Sequence, residues 1–185
     1  AIAVGSISAL RPEDYVVTHY RDHGHALARG LDSKAVLAEL FGKATGCSGG
    51  KGGSMHLFDA SKNFMGGYAI VGGQMPIAAG LALAAKLKGE DRLAMCYLGD
   101  GALNEGEFHE SMNLAAIRKL PVIYFCENNL YGMGVPVWET FALAEEIYRV
   151  AEAYKMPGKQ LNGMDVLEVH EVTREAIEYV RSGKG

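Results

Sequence analysis

Apolar residues along the chain fall into short unbroken runs separated by polar, glycine-rich turns. Leu93–Leu98 and Pro121–Cys126 are two such runs, ending in Gly99-Asp100-Gly101 and Glu127-Asn128-Asn129, and the segment between them, Glu107–Lys119, has helical spacing. Apolar strands joined by a helix of this length pair in parallel, buried on both faces, through a right-handed crossover. The pattern therefore predicts a βαβ unit. Tyr15–Tyr20 predicts a further strand that runs into the charged turn Arg21-Asp22-His23-Gly24. Asp32 or Ser33 caps a helix through Val36, Leu37, Leu40 and Phe41 that Gly42 stops, and Pro76–Lys88 is an alanine-rich helix stopped by Gly89. Leu143–Tyr154 has helical spacing. Asp165 followed by Glu168 has the form of a capping box before a helix that carries Val166, Val169, Val172, Ile177 and Val180 on one face and ends at Gly183. These elements predict an α/β domain, a parallel sheet flanked by helices.

Between the second and third of these segments the character changes. Thr45–Gly73 holds nine glycines interleaved with Met55, Phe58, Phe64 and Tyr68, and a loop this long in a compact domain is more often functional than idle. The whole chain has 24 glycines in 185 residues, about twice the usual share, without the proline content of a linker. The formal charge of −4 offers no basic field to a polyanion and argues against a nucleic-acid partner. No uncharged apolar run approaches the length of a membrane span. Cys47, Cys96 and Cys126 form no C-x-x-C pair and are odd in number, which argues for a reducing compartment rather than a disulfide framework or a zinc ribbon.

Parallel sheets carry their ligand sites at the carboxyl ends of the strands, so Gly99-Asp100-Gly101 and Asn128-Asn129 should share one rim. Asp100 offers a carboxylate and Asn129 an amide oxygen, hard ligands suited to Mg²⁺ or Ca²⁺. The flanking glycines let a diphosphate approach the backbone N–H groups. Either dipeptide alone is more often a plain turn; their joint placement after consecutive strands, with 28 residues between Asp100 and Asn129, is the signal. Other constructions fail. No lysine after a glycine is followed by Ser or Thr, which excludes a P-loop; Gly99-x-Gly101 lacks the third glycine of a dinucleotide fingerprint; Ser54 lacks the strand and trailing glycine of a nucleophile elbow. His23 and His25 read as a solvated pair or as two metal ligands, and His56 and His109 have no visible partner.

The stretch from Gly99 through Asn104-Glu105-Gly106 to Cys126-Glu127-Asn128-Asn129-Leu130-Tyr131-Gly132 resembles the thiamin diphosphate motif, and in particular the alpha subunits of pyruvate dehydrogenase, the decarboxylase component of the 2-oxo acid dehydrogenase complexes. Tyr20-Arg21-Asp22-His23-Gly24-His25, Gly50-Lys51-Gly52-Gly53-Ser54-Met55-His56, Ala69-Ile70-Val71-Gly72-Gly73-Gln74 and Asn162-Gly163-Met164-Asp165 are similar to that family in the same order. The resemblance implies a thiamin-diphosphate-binding fold over residues 1–185, a single domain cut at both ends. It implies Mg²⁺ held by Asp100, Asn129 and the Tyr131 carbonyl, and backbone contacts from Gly101 and Ala102 to the diphosphate. Tyr20 and Arg21 match the residues that hold the diphosphate, for which a planar guanidinium is suited. Ala69 and Val71 match the segment that meets the aminopyrimidine, and Ser61 aligns with a further contact.

The chemistry implied is decarboxylation of pyruvate with acyl transfer to a lipoyl group, in which the cofactor carries the reaction. The implied partners are a beta subunit, in a heterotetramer of two alpha and two beta chains, and a lipoyl-bearing acyltransferase. The implied compartment is the cytoplasm for a bacterial source, the mitochondrial matrix or plastid stroma for a eukaryotic one. The Gly50–His56 segment favours pyruvate or acetoin relatives over branched-chain ones, and a non-catalytic cofactor-binding or assembly subunit is the alternative outside enzymes. The family's catalytic histidines lie before Ala1 and after Gly185, and none of the six histidines here matches them, so no catalytic acid or base is assigned. Val135–Ala142 has no serine where regulated members carry a phosphorylation loop.

Overall fold

Strands β1 (Tyr15–Thr18), β2 (Phe64–Gly67), β3 (Ala94–Gly99) and β4 (Val122–Glu127) form one parallel sheet in the order β2-β1-β3-β4 in the computed structural model, which describes all 185 residues. β1 pairs with β3 from Tyr15 opposite Ala94, and β3 with β4 from Ala94 opposite Val122 to Gly99 opposite Glu127. The helices are α1 (Ile2–Ser8), α2 (His23–Ala28), α3 (Ser33–Leu40), α4 (Gln74–Lys88), α5 (Gly106–Arg118), the single turn α6 (Val137–Thr140) and α7 (Val166–Arg181). A two-residue ribbon, β5 (Tyr131–Gly132) with β6 (Val135–Pro136), follows β4. The strand order reverses between β1 and β3, which opens a crevice at their carboxyl ends.

The alternation of β3 builds two cores, one on each face of the sheet. Ala94, Cys96 and Leu98 pack with Met75, Ala78 and Ala82 of α4 and with Phe108, Met112 and Ala115 of α5. Met95 and Tyr97 pack with Ile7 of α1, Val36 of α3, and Ile177 and Val180 of α7. The alanines give α4 a smooth inner face, which lets the helix lie close against the sheet. Where α1 crosses α7, a Cβ on Gly5 would stand 2.8 Å from the Val166 carbonyl oxygen and from Val169 Cγ1, so only glycine permits that approach. At the opposite end of α7, Arg181 makes two bonds of 2.7 Å to the fully buried Asp14, whose carboxylate also accepts from the N–H groups of Arg11 and Leu93.

The βαβ unit and the cap-defined helices stand where the pattern puts them. Besides the unpredicted α1 and α2, four details differ. β4 is the edge strand, so all of it beyond Val122 is half-buried rather than covered on both faces. The Thr45–Gly73 stretch contains β2, whose Gly66 and Gly67 conceal a strand from any propensity reading. Of Leu143–Tyr154 only Ile147–Tyr154 is helical, and it is wound as a 3₁₀ helix. Asp165 does cap α7 through Leu167 and Glu168 N–H, but Glu168 turns back to the N–H of Asn162, so the box closes on one side only.

Candidate functional site

Each of the four parallel strands delivers one of the motif segments to the same rim. β1 exits into Tyr20 and Arg21, β2 into Tyr68-Ala69-Ile70-Val71, β3 into Asp100-Gly101-Ala102, and β4 into Asn128-Asn129. Asp100 begins a 3₁₀ turn over Asp100–Asn104 and is buried, with 2% of its surface exposed. Its Oδ2 has no hydrogen-bond partner. A buried carboxylate oxygen left bare is costly, so this one calls for a cation or a donor that the chain does not provide. The loop after β4 folds over this turn: a Cβ on Gly101 would meet Gly132 Cα at 3.4 Å. Asn129 Oδ1 accepts from the Tyr131 N–H at 3.0 Å, which fixes the amide and leaves its oxygen one lone pair. Opposite Tyr131 in the ribbon stands Pro136, which has no N–H to offer the Tyr131 carbonyl. Carboxylate, amide oxygen and carbonyl make an all-oxygen set of the kind Mg²⁺ takes, with coordination left for water and phosphate oxygens.

Arg21 adopts a left-handed conformation, φ 63°, with its guanidinium 5.3 Å from the Tyr20 ring centre. Leu130 and Met133 are also left-handed, at φ 72° and 58°. Non-glycine residues in this region are held there by their surroundings and cluster at functional sites. Ala69 and Val71 flank the exposed Ile70 ahead of α4, where a Cβ on Gly72 would crowd Glu105 at 3.1 Å. Ser61 stands apart. It precedes β2, at the amino edge of the sheet, and its hydroxyl and N–H both bond Asp59 Oδ1, so the structure does not bring it to the rim.

A cluster of four titratable groups that the sequence reading overlooked lies under the rim. His19 Nε2 donates to Glu127 Oε2 at 2.8 Å, and its Nδ1 faces the Tyr20 carbonyl at 3.1 Å and Asp22 Oδ1 at 3.4 Å. His25 Nε2 stands 3.2 Å from Glu127 Oε1 and its Nδ1 3.8 Å from Asp22. Both nitrogens of His19 meet acceptors, which is the environment of an imidazolium. Burial opposes the charge on His19, but the bond to Glu127 and the field of Asp22 outweigh it and raise its pKa. Burial likewise opposes the charge on Glu127, and the two histidines override it and hold its pKa down at about 2. Burial pushes Asp22 up. The alternative of a solvated pair at His23 and His25 does not hold: His23 bonds Ser54 Oγ at 2.7 Å, and His25 packs edge-on against Tyr97 in the core. His56 and His109 also find partners, the Gly67 carbonyl and the Tyr154 hydroxyl.

The glycine-rich loop owes its shape to another overlooked residue. Glu39, on the inner face of α3 and fully buried, accepts four backbone N–H groups, those of Ser48, Gly50, Gly52 and Gly53, at 2.7–3.0 Å. Burial alone would raise its pKa; the four bonds together lower it instead.

The family model described as dehydrogenase E1 component matches residues 1–185. The chain belongs to that family. Within the dehydrogenase E1 component family, the pyruvate dehydrogenase E1 component subunit alpha of Rhizobium meliloti (strain 1021) is 49% identical over 185 residues, which is 100% of this chain and 53% of that protein. The testis-specific mitochondrial form of the same subunit from Homo sapiens is 48% identical over 185 residues, 100% of this chain and 46% of the human protein. The chain thus spans about half the length of the curated relatives it matches. Among solved structures, benzoylformate decarboxylase from Polynucleobacter necessarius superposes with a TM-score of 0.63 at 16% identity, over 97% of this chain and 30% of that one. A putative thiamin diphosphate-dependent enzyme from Mycobacterium smegmatis gives 0.58 at 14% identity, over 96% and 29%. At these identities the likeness is one of fold.

Proposed function

We propose that this chain is the cofactor-binding part of a pyruvate dehydrogenase alpha subunit, acting with thiamin diphosphate and Mg²⁺ in the decarboxylation of pyruvate and transfer of the acyl unit to the lipoyl group of an acyltransferase. The observation that carries the reading is the bare, buried Asp100 carboxylate oxygen on the rim where the exits of all four parallel strands converge. Thiamin diphosphate, when bound, supplies a carbon nucleophile and an electron sink for loss of CO₂ from a 2-oxo acid. The chain's own work is binding and orientation. Asp100, the Asn129 amide oxygen and the Tyr131 carbonyl would hold Mg²⁺; Gly101 and Ala102 would offer backbone contacts to the diphosphate; Tyr20 and Arg21 would hold the same diphosphate. Ala69 and Val71 form the seat for the aminopyrimidine. A beta subunit completes the site in a heterotetramer, in the cytoplasm of a bacterium or in the mitochondrial matrix or plastid stroma of a eukaryote.

The test is a thermal-melt titration of the full alpha chain, alone and with its beta partner, against thiamin diphosphate with Mg²⁺ and then with chelator. A ligand at 100 times its Kd adds about 2.7 kcal/mol, a readily visible shift. The expected result is a shift that chelator reverses. Asp100→Asn should weaken the Mg²⁺-dependent binding by about 10-fold or more while the ligand-free protein melts no lower, because the change removes a bare buried charge and no bond within the chain. An unchanged affinity in that variant would remove the metal assignment, and no shift in any preparation would remove the cofactor reading.

A further inference from the structure

His19 touches the segments after three of the four strands. Its carbonyl accepts the Tyr68 N–H at 2.7 Å, which fixes the exit of β2 ahead of Ala69 and Val71. Its Nε2 donates to Glu127, two residues before Asn129, at 2.8 Å. Its own chain continues directly into Tyr20 and the left-handed Arg21, with Nδ1 turned onto the Tyr20 carbonyl. The bond to Glu127 spans 108 residues and passes over the end of β3, since β1 and β4 each neighbour β3 and not one another. The other side-chain approach between those two exits is His25 Nε2, 3.2 Å from Glu127 Oε1.

We infer that His19 and Glu127 form a positioning pair that sets the distance between the diphosphate-holding Tyr20-Arg21 turn and the metal-holding Asn129 loop. The four-membered cluster suits that role better than it suits a cation. Each histidine turns one nitrogen toward Glu127 and the other toward Asp22, at 2.8 and 3.4 Å for His19 and at 3.2 and 3.8 Å for His25, so the two carboxylates already face imidazole nitrogens of the chain itself, and the His19–Glu127 contact is the one with hydrogen-bond geometry. Asp22 and Glu127 grip His19 from both sides, and His25, wedged on Tyr97, backs Glu127 from the core. The imidazole is thereby fixed in orientation, which is what a group acting through its neighbours requires. Partners behind the ligands of a metal site commonly govern affinity in this way.

The inference rests on the function proposed above, and its test separates the two. In the full alpha chain with its beta partner, thiamin diphosphate and Mg²⁺ affinities are measured by calorimetry for wild type, His19→Ala, Glu127→Ala, the double variant and Glu127→Gln, below the melting temperature of each. Each alanine variant should lose about 10-fold in affinity, the magnitude typical of partners behind a metal site. The double variant should lose no more than the weaker-binding single, since both remove one bond. Glu127→Gln, which keeps an acceptor for Nε2, should recover most of the loss. Losses that multiply in the double variant, or affinities unchanged in the singles while wild type binds, would overturn the pairing and leave the cofactor reading intact. Failure of wild type to bind overturns the cofactor reading first. Amide exchange of the ligand-free protein decides the tie separately: His19→Ala should speed exchange at 128–132 as well as at 20–22, and unaltered exchange at 128–132 would overturn it.

Discussion

Glu39 shows what a single residue can do to the loop segment from Ser48 to Gly53. Its carboxylate replaces water for four half-buried loop N–H groups, so truncation leaves those donors without their shared acceptor. Glu39→Ala should cost about 3 kcal/mol, read from the urea midpoint, with new protease cleavage between residues 48 and 53; an unchanged midpoint would show that water substitutes for the side chain. The His19 and Glu127 pair makes a second prediction at this scale, and its sign follows from the two shifts. Glu127, depressed to about 2, contributes stability above its ordinary value near 4.5 and loses it as pH falls below that. His19, raised above 6.5, contributes below that value and loses its contribution as pH rises through the raised one. The difference in melting temperature between wild type and Glu127→Gln should therefore be greatest between pH 4.5 and 6.5 and shrink on both sides. A difference flat with pH would mean that the pair carries no charge. Asp100 and Asn129 were legible in the sequence because glycines and strand ends mark them locally. Glu39 and Glu127 were not, because what gives them a role lies 9 to 14 and 108 residues away.

At the scale of elements, the helix caps and uniform apolar runs could be read directly, since Asp32, Gly89 and Asp165 act within their own turn. β2 could not, because its glycines are there for close approach: a Cβ on Gly67 would stand 2.7 Å from the His19 carbonyl oxygen and 2.8 Å from that of Met55. α1 and α2 were missed for a related reason. They are short, and packing rather than propensity sustains them, Ser6 bonding the Tyr97 hydroxyl at 2.6 Å and His25 resting on the same ring. The attachment of α7 is equally non-local. Arg181→Ala leaves Asp14 charged in the core with only two backbone donors, and should cost about 3 kcal/mol in chemical denaturation, the usual penalty for half of a buried ion pair. Arg181→Lys should recover only part of that, since Nη2 alone makes both bonds to Asp14 while Nη1 bonds the Asp91 carbonyl and carboxylate, and one ammonium cannot serve both sites. Full recovery by lysine would show that charge alone holds the helix.

Over the whole molecule, the face around the rim is unusually apolar. Ile70, Val71, Leu130, Met133 and Trp138 are exposed there, Met133 completely. Patches of this kind mark surfaces that bind other molecules. Trp138 is the only tryptophan of the chain and stands at 59% exposure, so its fluorescence reports on that face alone. Mixing with the proposed beta subunit should shift its emission to shorter wavelength, and emission that stays put would place the contact elsewhere. The fold class was legible at this scale from one βαβ unit, while the order of the strands was not, because a sequence does not say on which side of β1 the glycine-rich excursion returns. That order also has a consequence in time. The rim draws on residues 20 to 131, so its first and last contributors leave the ribosome roughly 5–20 s apart at ordinary rates of synthesis. Throughout that interval the nascent domain has neither a complete site nor complete cores, since Ala151, Ile177 and Val180 are still to come, so the early contributors must be protected until the last helix arrives.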